Sequence, residues 1–451
     1  MAGTPFTYHV EETPRPVADR PRAFLRAFAG VLAHSNYRAA LGLFSNLGSR
    51  CGRCTVRCQL WLDTRAPRDM PCHRSQLLLR IFRYYFTPAG RLKRLLTGFR
   101  LTDAHLEEMG EEYYRCTACR RCRTACPAGI DHGLITHLAR WLLAEVDIVP
   151  KALLTAVRQQ LEGVGNTSGI PEPALRDTCG FLEEELEDLY GAGDVRFPID
   201  AADPEYIFFP AVSDYLMEPD TLMGNAAVMH FTGAPWTIGS ANFDAINYGL
   251  FFSDRVLEQV VANMVAESRR VGARKILVGE CGHATRAAWY VPAFGGDDPP
   301  EVISFLEYTH QAIEEGKIPL RGKVVAERVT YHDPCNITRE GRLTEEPRAI
   351  LRSICQDFVE MTPNRTENFC CGGGGGTVSI DEIRSFRTGP MGRIKAEQIR
   401  ATGAQIVVAP CANCKKQLRE VCEDNGMPEV QVVGIHDLVL KAIDFGNGAN
   451  D

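Results

Sequence analysis

The run Cys116-x2-Cys119-x2-Cys122-x3-Cys126-Pro127 constrains this chain more than any other feature. Three thiolates at two-residue intervals close around one metal-sulfur cluster, and a fourth, followed by proline, reaches across to another. A zinc site would use two short pairs, often with histidine, and has no need of the fourth cysteine and its proline. The run therefore calls for a pair of [4Fe-4S] clusters, with further ligands elsewhere in the chain.

Cys51-x2-Cys54-x3-Cys58 equals the last three cysteines of the same run, with Gly48 where the first belongs. By the crossed-ligand logic of two-cluster ferredoxins, Cys58 joins Cys116, Cys119 and Cys122 around one cubane. Cys51, Cys54 and Cys126 are left for the other cubane, which then lacks a thiolate. Cys72, in Met70-Pro71-Cys72-His73, is the nearest substitute. The alternatives are a cluster on three protein thiolates and a Cys72 that is a buried small hydrophobe.

Seventeen cysteines in a secreted chain would suggest disulfides. Met1 to Arg20, however, has no apolar core of signal-peptide type and carries both charge signs. A cytoplasmic chain with reduced thiols is expected. No uninterrupted apolar stretch reaches the roughly 18 residues a membrane span needs. The net charge of -7 and pI near 5.9 lack the basic surplus that phosphate neutralisation requires, so no nucleic acid partner is expected.

With 451 residues, 45% of them hydrophobic, the chain can bury two or three domain cores. Residues 1–45 read as an N-terminal extension. Phe24, Leu25, Phe28, Val31, Leu32, Leu41, Leu43 and Phe44 there, with Arg26 and Arg38 among them, suggest one or two amphipathic helices, packed on the next domain or docked on a membrane partner. Residues 46–150 read as a helical two-cluster domain, since Ser75 to Tyr85 and Leu134 to Val146 carry helical spacing. Residues 151–200, with the acidic stretch Glu183 to Asp188, read as a helical linker.

Beyond residue 200 the texture becomes α/β. Tyr206 to Phe209, Ala226 to Phe231, Lys275 to Val278, Arg328 to Tyr331, Gln405 to Val408 and Val430 to Val433 read as strands, most naturally parallel. This half also repeats. Phe208 to Ala211 parallels His332 to Cys335, Asn242 to Ala245 parallels Asn368 to Cys371, and Val278 to Ala284 parallels Val408 to Cys414. Two pseudo-repeats, residues 201–325 and 326–451, are therefore expected, with cysteines gathered at strand carboxyl ends. The second has Cys335, Cys370, Cys371, Cys411 and Cys414, whereas the first keeps only Cys281 at a matching place.

The pattern Cys335...Cys370-Cys371-Gly372...Cys411-x2-Cys414 resembles the cysteine-rich CCG domain of heterodisulfide reductases. With the upstream cysteine runs, the chain resembles the catalytic-subunit family of membrane-bound heterodisulfide reductase. It is similar in particular to the iron-sulfur subunits of sulfate reducers' transmembrane redox complexes, those of the high-molecular-weight and tetrahaem cytochromes c and of sulfite reduction. The likeness spans roughly residues 46 to 440. It implies a degenerate first CCG repeat and a second that binds a further [4Fe-4S] cluster on Cys335, Cys370, Cys371, Cys411 and Cys414. That cluster is either non-cubane or an ordinary cubane with a spare thiol.

Gly372, Gly373 and Gly374 are expected to bring backbone amides close to that cluster. The run lacks the Lys-Ser/Thr ending of a phosphate loop. Cys281, with His283 two residues on, is the candidate for thiol chemistry, receiving electrons or forming a mixed disulfide. The plainer alternatives are a buried inert cysteine, and structural roles for His283 and His332. Cys179, Cys355 and Cys422 match no ligand spacing.

Three functions fit. One is an electron-transfer subunit, peripheral on the inner membrane face, between quinone- or cytochrome-linked membrane subunits and a thiol or disulfide acceptor, as in sulfate respiration. Another is a reductase acting itself on a disulfide or trisulfide, of a small thiol protein for example. The third is the iron-sulfur subunit of a glycolate- or lactate-type oxidase. No flavin or nicotinamide fingerprint is evident, so hydride chemistry would belong to another subunit.

Overall fold

Asp19 opens the first helix: its carboxylate accepts from the Arg22 amide at 3.0 Å, and Pro21 stands where no amide partner is needed. The computed structural model describes residues 17–48, 51–251 and 253–446. The start of the N-terminal extension, residues 1–16, lies outside them. The chain divides into two compact units. The first holds the chain up to Leu154 together with Leu250–Asp254 and Gly372–Lys395, and the second holds Thr155–Gly249, Arg255–Cys371 and the chain from Ala396.

The first unit is helical. Arg20–Val31 and Ser35–Leu47 turn Phe24, Phe28, Val31, Leu41 and Phe44 into one core with Leu78, Phe82, Leu106, Tyr113, Leu138 and Leu142. Those partners come from the helices Pro71–Phe86, Asp103–Tyr114 and His132–Ala144. The N-terminal helices thus pack on the cysteine-bearing segment. Each fully buried Phe or Leu contributes about 1.5–3 kcal/mol, enough to hold loops that carry few contacts of their own. Asp131 caps the helix His132–Ala144 by accepting from the Leu134 amide at 3.0 Å, which fixes where the loop after Cys126 ends.

The second unit contains two four-stranded parallel sheets. β1 (Tyr206–Phe209), β2 (Trp236–Thr237), β3 (Lys275–Val278) and β4 (Glu301–Ser304) lie in the order β2-β1-β3-β4. β5 (Val325–Tyr331), β6 (Cys355–Glu360), β7 (Ile406–Val408) and β8 (Gln431–Val433) lie in the order β6-β5-β7-β8. The registers match as well: Phe209 pairs with Val278 at the end of the first central pair, and Tyr331 with Val408 at the end of the second. Helices join the strands, as parallel pairing demands.

One expected strand is a helix. Ala226 to Phe231 lies in Pro219–Thr232, which is buried on nearly every side, so its apolar run carries no amphipathic period. Gly224 of this helix faces the segment Ile435–Ala442, where an added Cβ would stand 2.2 Å from the His436 carbonyl oxygen. Cys179, Cys355 and Cys422 are buried. No helix of the described residues is long and apolar enough to cross a membrane.

Candidate metal centres

Left-handed backbone at Ala118 and Arg120 curls the segment between Cys116 and Cys122 so that its thiols converge. They line one cavity of the first unit: Cys116, Cys119 and Cys122, joined by Cys58. A second cavity of the same unit is lined by Cys51, Cys54, Cys72 and Cys126. The eight thiols are thereby sorted four and four. Cys72 reaches its cavity from the first turn of Pro71–Phe86, where the positive end of the helix favours a thiolate. A hydrogen bond from Cys54 pulls the Cys72 thiol down to about 6, while burial pushes Cys58 up to about 11.

These residues fit [4Fe-4S] clusters. Backbone amides already point at sulfur, from Ala118 to Cys116 Sγ and from Ile130 to Cys126 Sγ, both at 3.4 Å. Arg74 is buried beside Cys58 and Cys116 with its Nη2 lacking any hydrogen bond, although Asp69 lies 3.8 Å away. A buried cation of this kind offsets the negative charge of a thiolate-bound cluster. The cavity around Cys51 instead has apolar walls from Phe44, Leu47, Leu79 and Ile130, with only the exposed Arg53. His132 lines both cavities. Its Nδ1 meets Ser75 Oγ at 2.7 Å, and burial drives it down to about 4, so the ring is neutral at physiological pH.

In the second unit the thiols gather at strand carboxyl ends, where open α/β sheets bind ligands. Cys281 follows β3 and Cys411 follows β7, each extended and each starting a helix, Gly282–Ala288 and Ala412–Asp424. Each amide donates back to the carbonyl two residues before it at 2.7 Å. The two turns interlock: Gly282 N–H donates to Cys411 Sγ at 3.3 Å, and Ala412 N–H to the Glu280 carbonyl at 2.8 Å. Cys281 and Cys411 are in hydrogen-bonding contact, as are Cys411 and Cys414, while Cys414 Sγ lies 3.5 Å from Cys371 Sγ. Hydrogen bonds from its neighbours hold Cys411 well below the ordinary thiol range.

The cysteine-rich segment matches a known family, the Cysteine-rich domain, over residues 329–419, and the N-terminal cysteines match the 4Fe-4S dicluster domain over residues 49–130. The Hdr-like menaquinol oxidoreductase iron-sulfur subunit 2 of Archaeoglobus fulgidus is 28% identical, across 93% of this chain and 83% of that protein. A component of the dihydromethanophenazine:CoB--CoM heterodisulfide reductase of Methanosarcina barkeri is 26% identical, across 87% of this chain and 93% of that one. The chain is a heterodisulfide reductase-like iron-sulfur protein.

Within this heterodisulfide reductase-like protein Cys335 and Cys370 are buried, Cys335 just beyond β5 and Cys370 beside Cys371. His283 is buried next to the thiol row. Its Nδ1 accepts from Asn413 at 2.7 Å, and burial pushes it down to about 4, which leaves it neutral near pH 7. Gly372, Gly373 and Gly374 belong to the first unit, in the segment that follows Cys371. There the run makes a tight turn with left-handed residues at Gly372, Gly375 and Gly376, and Thr377 Oγ1 donates to the Gly374 carbonyl at 2.9 Å. A Cβ at Gly375 would stand 3.2 Å from the Thr117 carbonyl, so this glycine lets the run press against the loop that bears Cys116 and Cys119. Arg140 ties the same parts together by donating to the carbonyls of Cys116 at 2.6 Å and Gly375 at 2.7 Å.

Nothing in the sequence singles out Arg74, His132 or Arg140. Arg74 lies two residues after Cys72, but nothing local distinguishes it from the other arginines of its segment. His332 stands out in the sequence only as a histidine before Cys335. Its ring nitrogen, Cys371 Sγ and Cys414 Sγ all lie within 4.8 Å of one another, and all three residues are buried.

Proposed function

We propose that this chain is an iron-sulfur electron-transfer subunit of a membrane-bound redox complex, relaying electrons between a quinone- or cytochrome-linked membrane partner and a thiol or disulfide acceptor. The observation that carries this reading is the sorting of the cysteines: four and four around two cavities of one unit, and a row of thiols at the strand ends of the other. Cys58, Cys116, Cys119 and Cys122 hold one cubane, and Cys51, Cys54, Cys72 and Cys126 hold the other. Cys335, Cys370, Cys371, Cys411 and Cys414 hold a third [4Fe-4S] cluster. When bound, these groups supply one-electron transfer at potentials set by nearby charge, hydrogen bonds and exposure.

The protein's own residues do the rest. Arg74 and the amides of Ala118 and Ile130 compensate negative charge at the thiolates. Cys51 is exposed and offers an edge for exchange with a partner. The matched strand order of the two sheets supports reading the second unit as two pseudo-repeats, only one of which keeps its full ligand set.

Iron analysis tests this. Three four-iron clusters predict about 12 irons per chain. Cys72→Ala is expected to lower this to about 8, with loss of one cubane EPR signal and retention of the other. An unchanged count in that variant would remove Cys72 from the ligand set, and a wild-type value near 4 would sink the relay.

A second reading, a disulfide reductase in its own right, is favoured by one observation: Cys281 touches Cys411 from outside the five-cysteine motif. Cys281 is fully buried, and its hydrogen bond to Cys411 together with burial raises it well above the ordinary thiol range, so exchange with a substrate disulfide there requires the site to open.

A further inference from the structure

We propose that His332 is a nitrogen ligand of the metal centre held by Cys371 and Cys414, which rests on the reading of the second unit as a cluster site. The three donor atoms lie within 4.8 Å of one another, and Cys371 Sγ and Cys414 Sγ are 3.5 Å apart. Imidazole nitrogen and cysteine sulfur serve together as ligands of iron-sulfur centres, and the convergence of all three donors at one buried place is what such a ligand set requires.

The backbone at His332 is fixed from both sides. The His332 amide donates to the Val408 carbonyl at 2.9 Å, which extends the β5–β7 pairing by one residue. The next residue, Asp333, is clamped by Arg348 through two hydrogen bonds at 2.8 and 2.9 Å. His332 itself is fully buried, so its imidazole faces protein donors and no bulk water. The pairing that places β5 beside β7 thus delivers a histidine from the end of one strand to the cysteine helix that follows the other. Histidine in place of thiolate adds no negative charge, and iron-sulfur centres with such ligands have raised potentials.

The test uses the whole protein prepared anaerobically, with histidine labelled by 15N and the third cluster poised in a paramagnetic state. Pulsed EPR is expected to show one directly coupled nitrogen that changes from 14N to 15N on labelling. His332→Ala is expected to abolish this coupling and to lower the potential of that cluster alone. A wild-type spectrum without nitrogen coupling, from protein holding about 12 irons, overturns the ligand while the cluster reading stands. Protein with only about 8 irons and no third signal overturns the cluster reading beneath it. Labelling leaves the sequence intact, so the result does not depend on how the variant folds.

The helix Pro88–Thr97 carries a separate site on the first unit, and we infer that it binds an anionic lipid surface. Leu92, Leu95 and Leu96 share one face at helical spacing and are 62%, 74% and 80% exposed. Arg91 and Lys93, both exposed, flank that face on either side, where long basic side chains reach headgroups as leucines enter the acyl boundary. From residue 70 to residue 102 the chain has no acidic residue, and Arg80, Arg83 and Arg100 add to the positive charge. In a chain of net charge -7, an anionic surface attracts this region and repels much of the remainder, which orients the protein.

This deepens the membrane-complex reading with a lipid contact made by the chain itself. The isolated protein is expected to float with vesicles of phosphatidylcholine and phosphatidylglycerol, to stay behind with phosphatidylcholine alone, and to be released by high salt. Leu95→Asp with Leu96→Asp is expected to end flotation at unchanged iron content, since neither leucine is buried. A native protein that does not float overturns the lipid contact and leaves the leucine face to a protein partner. Retention of the chain in washed native membranes tests the complex reading separately.

Discussion

Cys414→Ala is expected to lower the iron of anaerobically purified protein from about 12 to about 8 per chain and to end electron delivery to any thiol or disulfide acceptor. Cys414 stands in the first turn of Ala412–Asp424, touching both Cys411 and Cys371, so its loss opens the middle of the thiol row. The fold should tolerate the change. A deletion of this size in a core costs about 1 kcal/mol, and the sheets end before the site. The two cubane signals of the first unit are expected to persist, because no thiol of that unit belongs to the row. Cys281→Ser is the companion experiment. It should keep about 12 irons, because Cys281 lies outside the five-cysteine motif. If the protein is a relay, electron flow through Cys281→Ser is unchanged. If it cleaves disulfides itself, turnover is lost while cluster reduction continues. Iron that falls in Cys281→Ser and holds in Cys414→Ala would overturn the assignment of both residues.

The cysteine runs were legible because cluster ligation is local. A spacing of two or three residues already limits which thiols can share a cavity, and the four-and-four sorting in the first unit follows that logic down to Cys72, visible only by its nearness in sequence. Five of the six expected strands are strands. The sixth, Ala226 to Phe231, is apolar on every side and therefore reads the same as helix or buried strand. β2 has two residues, β4 is largely open to solvent, and β6 is a half-buried edge, so none carries the apolar signal that marks a central strand.

His332 and Arg74 were legible as residue types and illegible as parts of a site. The place of His332 depends on β5 pairing with β7, and that of Arg74 on how Pro71–Phe86 lies against the Cys116 loop. Both are consequences of long-range packing. Residue spacing holds no record of them. The shape of the glycine run was illegible for a related reason. Its conformations and its close approach to Thr117 are visible only once the segment after Cys371 is seen to belong to the first unit.

Arg348→Met is expected to cost about 3–5 kcal/mol of unfolding free energy, the usual penalty for removing one partner of a buried ion pair. Arg348 is fully buried. It clamps Asp333 and also grips Glu360, from Nε at 2.7 Å and Nη2 at 3.0 Å. Burial alone would pull the guanidinium pKa down, yet its bonds to Asp333 and Glu360 push it up, so the charge is held across the accessible pH range. Methionine fills most of the volume and leaves the Asp333 carboxylate buried, with the Arg365 amide at 2.7 Å still donating to it and no cation bonded to it. The damage extends to the site. The Asp333 carbonyl accepts from Asn368 Nδ2 at 2.6 Å, Arg339 donates to the Asn368 carbonyl, and Cys370 and Cys371 follow directly. Urea unfolding with far-UV dichroism should therefore show a lowered midpoint, and a chelator should strip iron from the third cluster before it reaches the cubanes. Adding Asp333→Asn removes the stranded charge and should restore part of the stability, while the loss of iron persists because the loop before Cys370 is still unclamped. A double variant that regains its iron would mean that the charge of Asp333, and no clamp on the loop, governs cluster retention.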